Sequence, residues 1–97
     1  MQIINLPKLQ KFQLKHANAR KSLQTWKKIV DESNWAKDRD VLQSFPTAKI
    51  ISKKRARFEI KHNVYRLVAE IDYQDQLLTI RFIGTHNEYD EIDAKTI

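Results

Sequence analysis

A chain of 97 residues without cysteine, 41% hydrophobic and 31% charged, describes one globular domain with a modest core and excludes disulfide scaffolds, thiol catalysis and thiolate zinc sites. No apolar run approaches the ~20 residues that span a bilayer, and MQIIN leads into a lysine-dotted helical pattern rather than a signal peptide, so a cytoplasmic chain is expected. The net charge of +6 is segregated: Lys8, Lys11, Lys15, Arg20, Lys21, Lys27 and Lys28 precede the first acid, and positions 49 to 66 hold Glu59 as their only one. Such a field attracts polyanions, nucleic acid foremost.

In chain order, QII is a short β-prone run. Asn5 then suits a helix N-cap, with Pro7 in the first turn, where its missing N–H does no harm. Leu6, Leu9, Phe12 and His16 follow helical spacing, and Lys8, Lys11 and Lys15 line another face. A second helix is predicted over about 19–34, with Ala19, Leu23, Trp26 and Val30 as its apolar stripe. The two form an antiparallel hairpin. Asp38 is placed to cap a third, short helix that reaches Phe45 and stops at Pro46.

From Ala48 the period changes to two, with strands predicted at about 48–51, 55–61, 64–73 and 77–84. Ala56, Phe58 and Ile60 share one face, as do Tyr65, Leu67, Ala69 and Ile71, and then Leu78, Ile80 and Phe82. A two-residue His62-Asn63 hairpin puts Ile60 opposite Tyr65 and Glu59 opposite Arg66. The next connection, around Gln74 to Gln76, keeps the same parity whether two or four residues long; four would set Glu70 opposite Arg81. The product is a twisted antiparallel sheet with the helical hairpin on one face. Its other face carries Arg55, Arg57, Lys61, Arg66 and Arg81.

The stretch FIGTHNEYD follows that face. Thr85 and Glu88 have capping-box spacing for a short last helix, with Gly84 easing the bend and Tyr89 and Ile92 packing on the sheet edge. His86 is left without a structural job. Cleaving RNA without a metal needs a base for the 2′-OH proton, cations for the phosphorane charge and an acid for the leaving 5′-oxygen. Histidine serves as either acid or base near neutral pH, arginine offers a planar fork to phosphate, and tyrosine stacks on bases or donates a proton. His16, His62 and His86 have no metal-ligand spacing, and no cofactor is expected.

The run RARFEIKHNVYRLVAEIDYQDQLLTIRFIGTHNEYDEIDAKTI resembles the C-terminal half of HigB-family toxins of bacterial type II toxin–antitoxin systems, within the RelE-like superfamily of mRNA endonucleases. NVYRL at 63–67 and IRFIGTHNEYD at 80–90 carry the likeness most specifically, and the QIIN start and NWAKDRD extend it through the chain. The resemblance implies one RelE-like α+β domain over 1–97, with a short N-terminal strand, a helical hairpin on a curved antiparallel sheet and a short C-terminal helix. It implies mRNA cleavage on translating ribosomes, and inhibition by a HigA-type helix-turn-helix antitoxin through which alone operator DNA would be bound. Family function maps onto Arg66 and Arg81 at the scissile phosphate, His86 as general acid or base, and Tyr89 positioning the nucleotide, with Asp90 as a further candidate. Lys53, Lys54, Arg55, Arg57 and Lys61 would hold phosphates of mRNA or ribosomal RNA.

Two positions depart from the family pattern. His62-Asn63 stands where relatives often have Gly-Asn, and Glu59 where they often have asparagine; Glu59 is expected to pair with Arg66 and weaken phosphate binding. The competing reading is a basic sheet that holds RNA or an acidic protein and cuts nothing. Phe58, Tyr65 and Phe82 on the core side would count against a stacking surface for RNA.

Overall fold

The computed structural model describes residues 1–97 as an α+β domain. Strand β1 (Gln2–Ile4) leads into helix α1 (Leu6–Lys15), and a 3-10 turn at Ala17–Ala19 opens helix α2 (Arg20–Asp31). Helix α3 (Asp38–Ser44) precedes strands β2 (Lys49–Ser52), β3 (Arg55–Ile60), β4 (Tyr65–Asp72) and β5 (Leu77–Thr85), and helix α4 (His86–Asp90) follows. The sheet order is β1-β5-β4-β3-β2. β1 pairs with β5 in parallel, Ile3 beside Leu78, so the sheet is mixed rather than wholly antiparallel. A three-residue strand carries no pattern that specifies its neighbour; its place is set by burying Ile3 in the core.

Asn5 sits at the N-cap of α1, yet its side chain does not cap the helix. It adopts a left-handed conformation (φ 76°), which asparagine tolerates, and its Nδ2 donates to the Ile80 carbonyl at 3.1 Å. Asn5 thus turns the chain and fastens α1 to β5. Likewise Lys37, not Asp38, is the N-cap of α3. Asp40 accepts from the Ala36 N–H at 2.9 Å, while Asp38 accepts from the Tyr73 hydroxyl. Burial first, and then the two aspartates, push the Tyr73 phenol above its ordinary value.

One face of the sheet meets the helices in a continuous core. Phe58, Leu67, Ile71, Leu78 and Ile80 contribute from the sheet, Leu9 and Phe12 from α1, Leu23, Trp26 and Val30 from α2, and Val41 from α3. Phe58 lies edge-on to both Trp26 and Phe45, with centroids 5.5 and 5.1 Å away. The β3–β4 register is the one the hydrophobic pattern demands, Ile60 opposite Tyr65 and Glu59 opposite Arg66. Its turn is longer than two residues: Lys61 leaves the strand, and Lys61, His62 and Asn63 all have positive φ.

The β4–β5 ladder holds the main surprise. Asp72 pairs with Leu77, so Glu70 lies opposite Thr79, not Arg81. The connection is fixed by the Asp75 N–H donating to Asp72 Oδ1 and by Gln76, at positive φ, whose side chain donates to Tyr73 O and Trp35 O. Ala69 then pairs with Ile80 but Val68 with Phe82. Arg81 is the extra residue of a β-bulge. Beyond a bulge the alternation inverts, because side-chain direction has period two. Phe82 is therefore carried to the face opposite the core, beside Val68, while Ile83 turns inward opposite Leu67 and packs on the core. The expected inward Phe82 is corrected by this one residue.

Truncating Phe58, the ring on which Trp26 and Phe45 converge, should cost about 3–5 kcal/mol. Denaturant unfolding of Phe58→Ala, compared with the wild type, measures it.

Candidate functional site

The inverted end of β5 sets Gly84 on the non-core face and Thr85 on the core face. Gly84 lies opposite Arg66 and Thr85 opposite Tyr65. Thr85 opens α4 with a complete capping box: the Glu88 N–H donates to Thr85 Oγ1 at 3.2 Å, and the Thr85 N–H donates to Glu88 Oε1 at 2.8 Å. The backbone hydrogen bond from Thr85 is the main reason the Glu88 carboxyl lies below its ordinary 4.5; the Thr85 hydroxyl, His16 and Lys15 act in the same direction, against a desolvation penalty. α4 then carries His86, Tyr89 and Asp90.

Tyr89 lies under the Arg66 guanidinium, whose central carbon is 4.8 Å from the ring centroid. Phe82 stands beside the same ring, with centroids 6.2 Å apart. Arg66 is also held from the hairpin, its Nε donating to Asn63 Oδ1 at 2.9 Å. Asn63 can do this because it sits at φ 70° at the end of the turn, three residues ahead of Arg66. His86 and Asp90 face each other one helical turn apart, with Nδ1 and Oδ2 at 3.3 Å. Both are about half exposed, so the pair adds little stability. Its consequence is orientation: Nδ1 addresses the carboxylate, and Nε2 is the ring's free nitrogen.

Glu59 does not take Arg66. Its carboxylate lies 3.3 Å from Arg57 Nη2, two residues along the same strand. Arg66 is thus opposite Glu59 in register but bound to Asn63 and Tyr89, without a carboxylate partner. The expected Glu59–Arg66 pair is corrected accordingly. Glu70, which a four-residue connection would have set opposite Arg81, instead reaches Arg55 Nη2 at 3.4 Å, because β3 supplies its cross-strand neighbour.

The remaining basic residues scatter. Arg55 and Arg81 both bond to the segment after α4, at Ala94 and Ile97 and at Ile97 respectively. Lys61, expected to point outward from β3, lies in the hairpin at positive φ and lines a cavity with Lys21, Trp26 and Ile29 of α2. Lys53 and Lys54 form the β2–β3 turn beside Asp72 and Tyr73. That is about 20 Å along β3 from the hairpin, at ~3.3 Å per residue. On the far side of α4, Lys8, Lys11, Lys15 and His16 of the α1 region border a cavity of about 230 Å³ with Ile83 and Glu88.

Of the residues singled out from sequence, Arg66, His86, Tyr89 and Asp90 are brought to one end of the sheet. Arg81 is engaged instead by a hydrogen bond to Ile97. Phe82 and Asn63 were missed. Adjacent large apolar residues, Phe82-Ile83, interrupt the alternation of LTIRFIG and are the signal for the bulge.

Comparison with family models finds a match, described as HigB_toxin, RelE-like toxic component of a toxin–antitoxin system, over residues 19–92. The chain belongs to this family. The α+β architecture, a helical layer on a curved five-stranded sheet, is consistent with the RelE-like fold of HigB toxins. Membership makes it the toxin of a toxin–antitoxin pair and implies an antitoxin partner. Comparison with curated proteins finds no match. No helix is long and apolar enough to cross a membrane.

Gly84 in this HigB-family chain does not need glycine for its φ. A Cβ there would stand 2.7 Å from Phe82 Cζ and 3.0 Å from Glu88 Oε1. Gly84→Ala should therefore displace the Phe82 ring or break the capping box, costing about 1–3 kcal/mol in denaturant unfolding. Because the folded Glu88 value is lowered, its stabilisation is complete above 4.5 and lost as pH falls through the lower folded value. An acid titration followed at the Thr85 amide by NMR should show α4 loosening below pH 4.5, and Glu88→Gln should remove that transition.

Proposed function

We propose that this toxin is a metal-independent mRNA endonuclease acting on translating ribosomes, restrained by a HigA-type helix-turn-helix antitoxin. The observation that carries the reading is the Arg66 guanidinium, fixed by Asn63 and stacked on Tyr89, at the end of the sheet from which α4 presents the His86–Asp90 pair. A fork-shaped cation without a carboxylate partner and, on the helix that follows, a histidine with one free ring nitrogen are groups that phosphodiester transfer requires.

In this mechanism the RNA 2′-oxygen attacks its own phosphorus while losing its proton, and the 5′-oxygen leaves carrying a proton. The products are a 2′,3′-cyclic phosphate and a 5′-hydroxyl. Arg66 stabilises the charge on the non-bridging oxygens of the phosphorane. His86 Nε2 exchanges the proton, with Asp90 holding the ring tautomer. Tyr89 and Phe82 offer ring faces on which the bases flanking the cleaved bond are splayed. Lys61, Lys53 and Lys54 extend the positive field at the ends of the sheet for phosphates farther away. In the cell the ribosome would hold the mRNA extended across this surface.

A second reading, RNA binding without cleavage, gains from the same bulge, because Phe82 and Tyr89 supply aromatics on the basic side. Mapping mRNA 5′ ends by primer extension in briefly induced cells separates the two. The wild type should create new ends inside translated reading frames. His86→Ala and Arg66→Ala should each reduce them by about 10²-fold or more, and Arg66→Lys should not restore them, because ammonium neither forks nor stacks as guanidinium does. A folded wild type that yields no new ends would sink the endonuclease reading in favour of binding.

A further inference from the structure

The basic face holds a second cation pair, apart from the Arg66 cluster, and it is already occupied by the chain itself. Arg55 Nη1 donates to the main-chain oxygens of Ala94, at 3.1 Å, and Ile97. Arg81 Nε donates to the same Ile97 oxygen at 3.1 Å. Arg55 belongs to β3 and Arg81 to β5, so the oxygen they share lies over β4 between them. Two guanidinium groups converging on one oxygen from opposite sides is the geometry of an oxyanion seat.

The seat is built into the sheet. Only 11% of the Arg55 side chain is exposed, and Glu70 holds its other nitrogen at 3.4 Å. The bulge sets Arg81 out of the regular ladder. Residues 93–97 are shaped to reach it. Asp93 Oδ1 accepts from the Lys95 N–H at 3.0 Å, and its carbonyl accepts from the Thr96 and Ile97 N–H groups at 3.1 and 3.0 Å, closing a tight turn that presents the Ile97 oxygen. Val68, on the same face of β4 and outside the main core, is fully buried. A solvated sheet face would leave it open.

We propose that Arg55 and Arg81 form a backbone-phosphate subsite for RNA, and that residues 93–97 are a strap filling it until RNA displaces them. The inference rests on the RNA reading above, in which both arginines are already expected to meet phosphate, and adds their shared seat and its internal competitor. The Ile97 oxygen is one acceptor held by a short turn, whereas a nucleic-acid backbone brings phosphate oxygens in series and engages the neighbouring cations as well, so exchange favours the nucleic acid once it is delivered. Phosphate affinity is lowered in the strapped state by the fraction of time the seat stands open.

The test is an NMR titration of the whole chain at constant ionic strength, reading the Arg55 and Arg81 Nε–H signals and the Thr96 and Ile97 amides. The first probe is inorganic phosphate, and the second a short 2′-O-methyl RNA that cannot be cleaved. Both should shift the arginine signals and release the two amides to coil-like positions. Asp93→Ala, which loosens the strap and touches neither arginine, should bind phosphate about tenfold more tightly. Arg55→Lys should weaken binding in both backgrounds. RNA binding with the Thr96 and Ile97 amides unmoved, or an Asp93→Ala affinity equal to wild type, would overturn the strap while leaving the RNA reading intact. Release by phosphate but not by the RNA would overturn the assignment of the seat to RNA.

Discussion

One extra residue in one strand organises the functional face of this protein. Arg81 is bulged between Ile80 and Phe82, and the inversion that follows decides the destination of every later side chain in β5. Ile83 goes to the core, Phe82 to the opposite face, and Gly84 comes to lie across from Arg66. Because the strand runs directly into α4, that parity also places Tyr89 under the Arg66 guanidinium. Without the bulge, Phe82 would point among the helices. The platform that flattens Arg66 would lose its second ring. The glycine is part of the same device, because a side chain there would occupy the space of the Phe82 ring.

The basic face is less uniform than its composition suggests. Arg57 is neutralised by Glu59, and Arg55 is steadied by Glu70 and committed, with Arg81, to the segment after α4. Arg66 alone among these arginines is bound by an amide and an aromatic ring, neither of which cancels its charge. Proximity in sequence to many cations is therefore a poor guide to which one meets a phosphate. What distinguishes the sites is the partner each guanidinium already has. For the antitoxin implied by family membership, a carboxylate delivered to Arg66 would neutralise it, as Glu59 does not.

Much of the fold was legible because burial imposes strict periods. The 3.6-residue stripe of Leu23, Trp26 and Val30 and the alternation of Ala56, Phe58 and Ile60 each admit one inward face, and those residues are buried. The capping box was legible from Thr85 and Glu88 alone, since its chemistry is local. What escaped was non-local or non-periodic. β1 is too short to declare that it would lie parallel to β5. Asn5 was placed correctly at the helix start, but its side chain serves a strand 75 residues away. The positive φ shared by Lys61, His62 and Asn63 removed Lys61 from the strand face, though the register survived. The Phe82-Ile83 doublet announced a change of face, and strict alternation overrode it. His86 and Tyr89 stood out because FIGTHNEYD asked more of them than a helix start, whereas Asn63 reads as ordinary turn chemistry until Arg66 is seen bound to it.

The claim on which most depends is the inversion at Arg81, and nuclear Overhauser contacts of the Phe82 ring in solution measure it directly. We expect contacts from Phe82 to the Tyr89 ring and the Val68 side chain, with Ile83 in contact with core protons beside Leu67. Phe82 contacts to Leu67 and Phe58 instead, with Ile83 facing outward, would contradict the bulge and dissolve the Arg66–Tyr89–Phe82 platform with it.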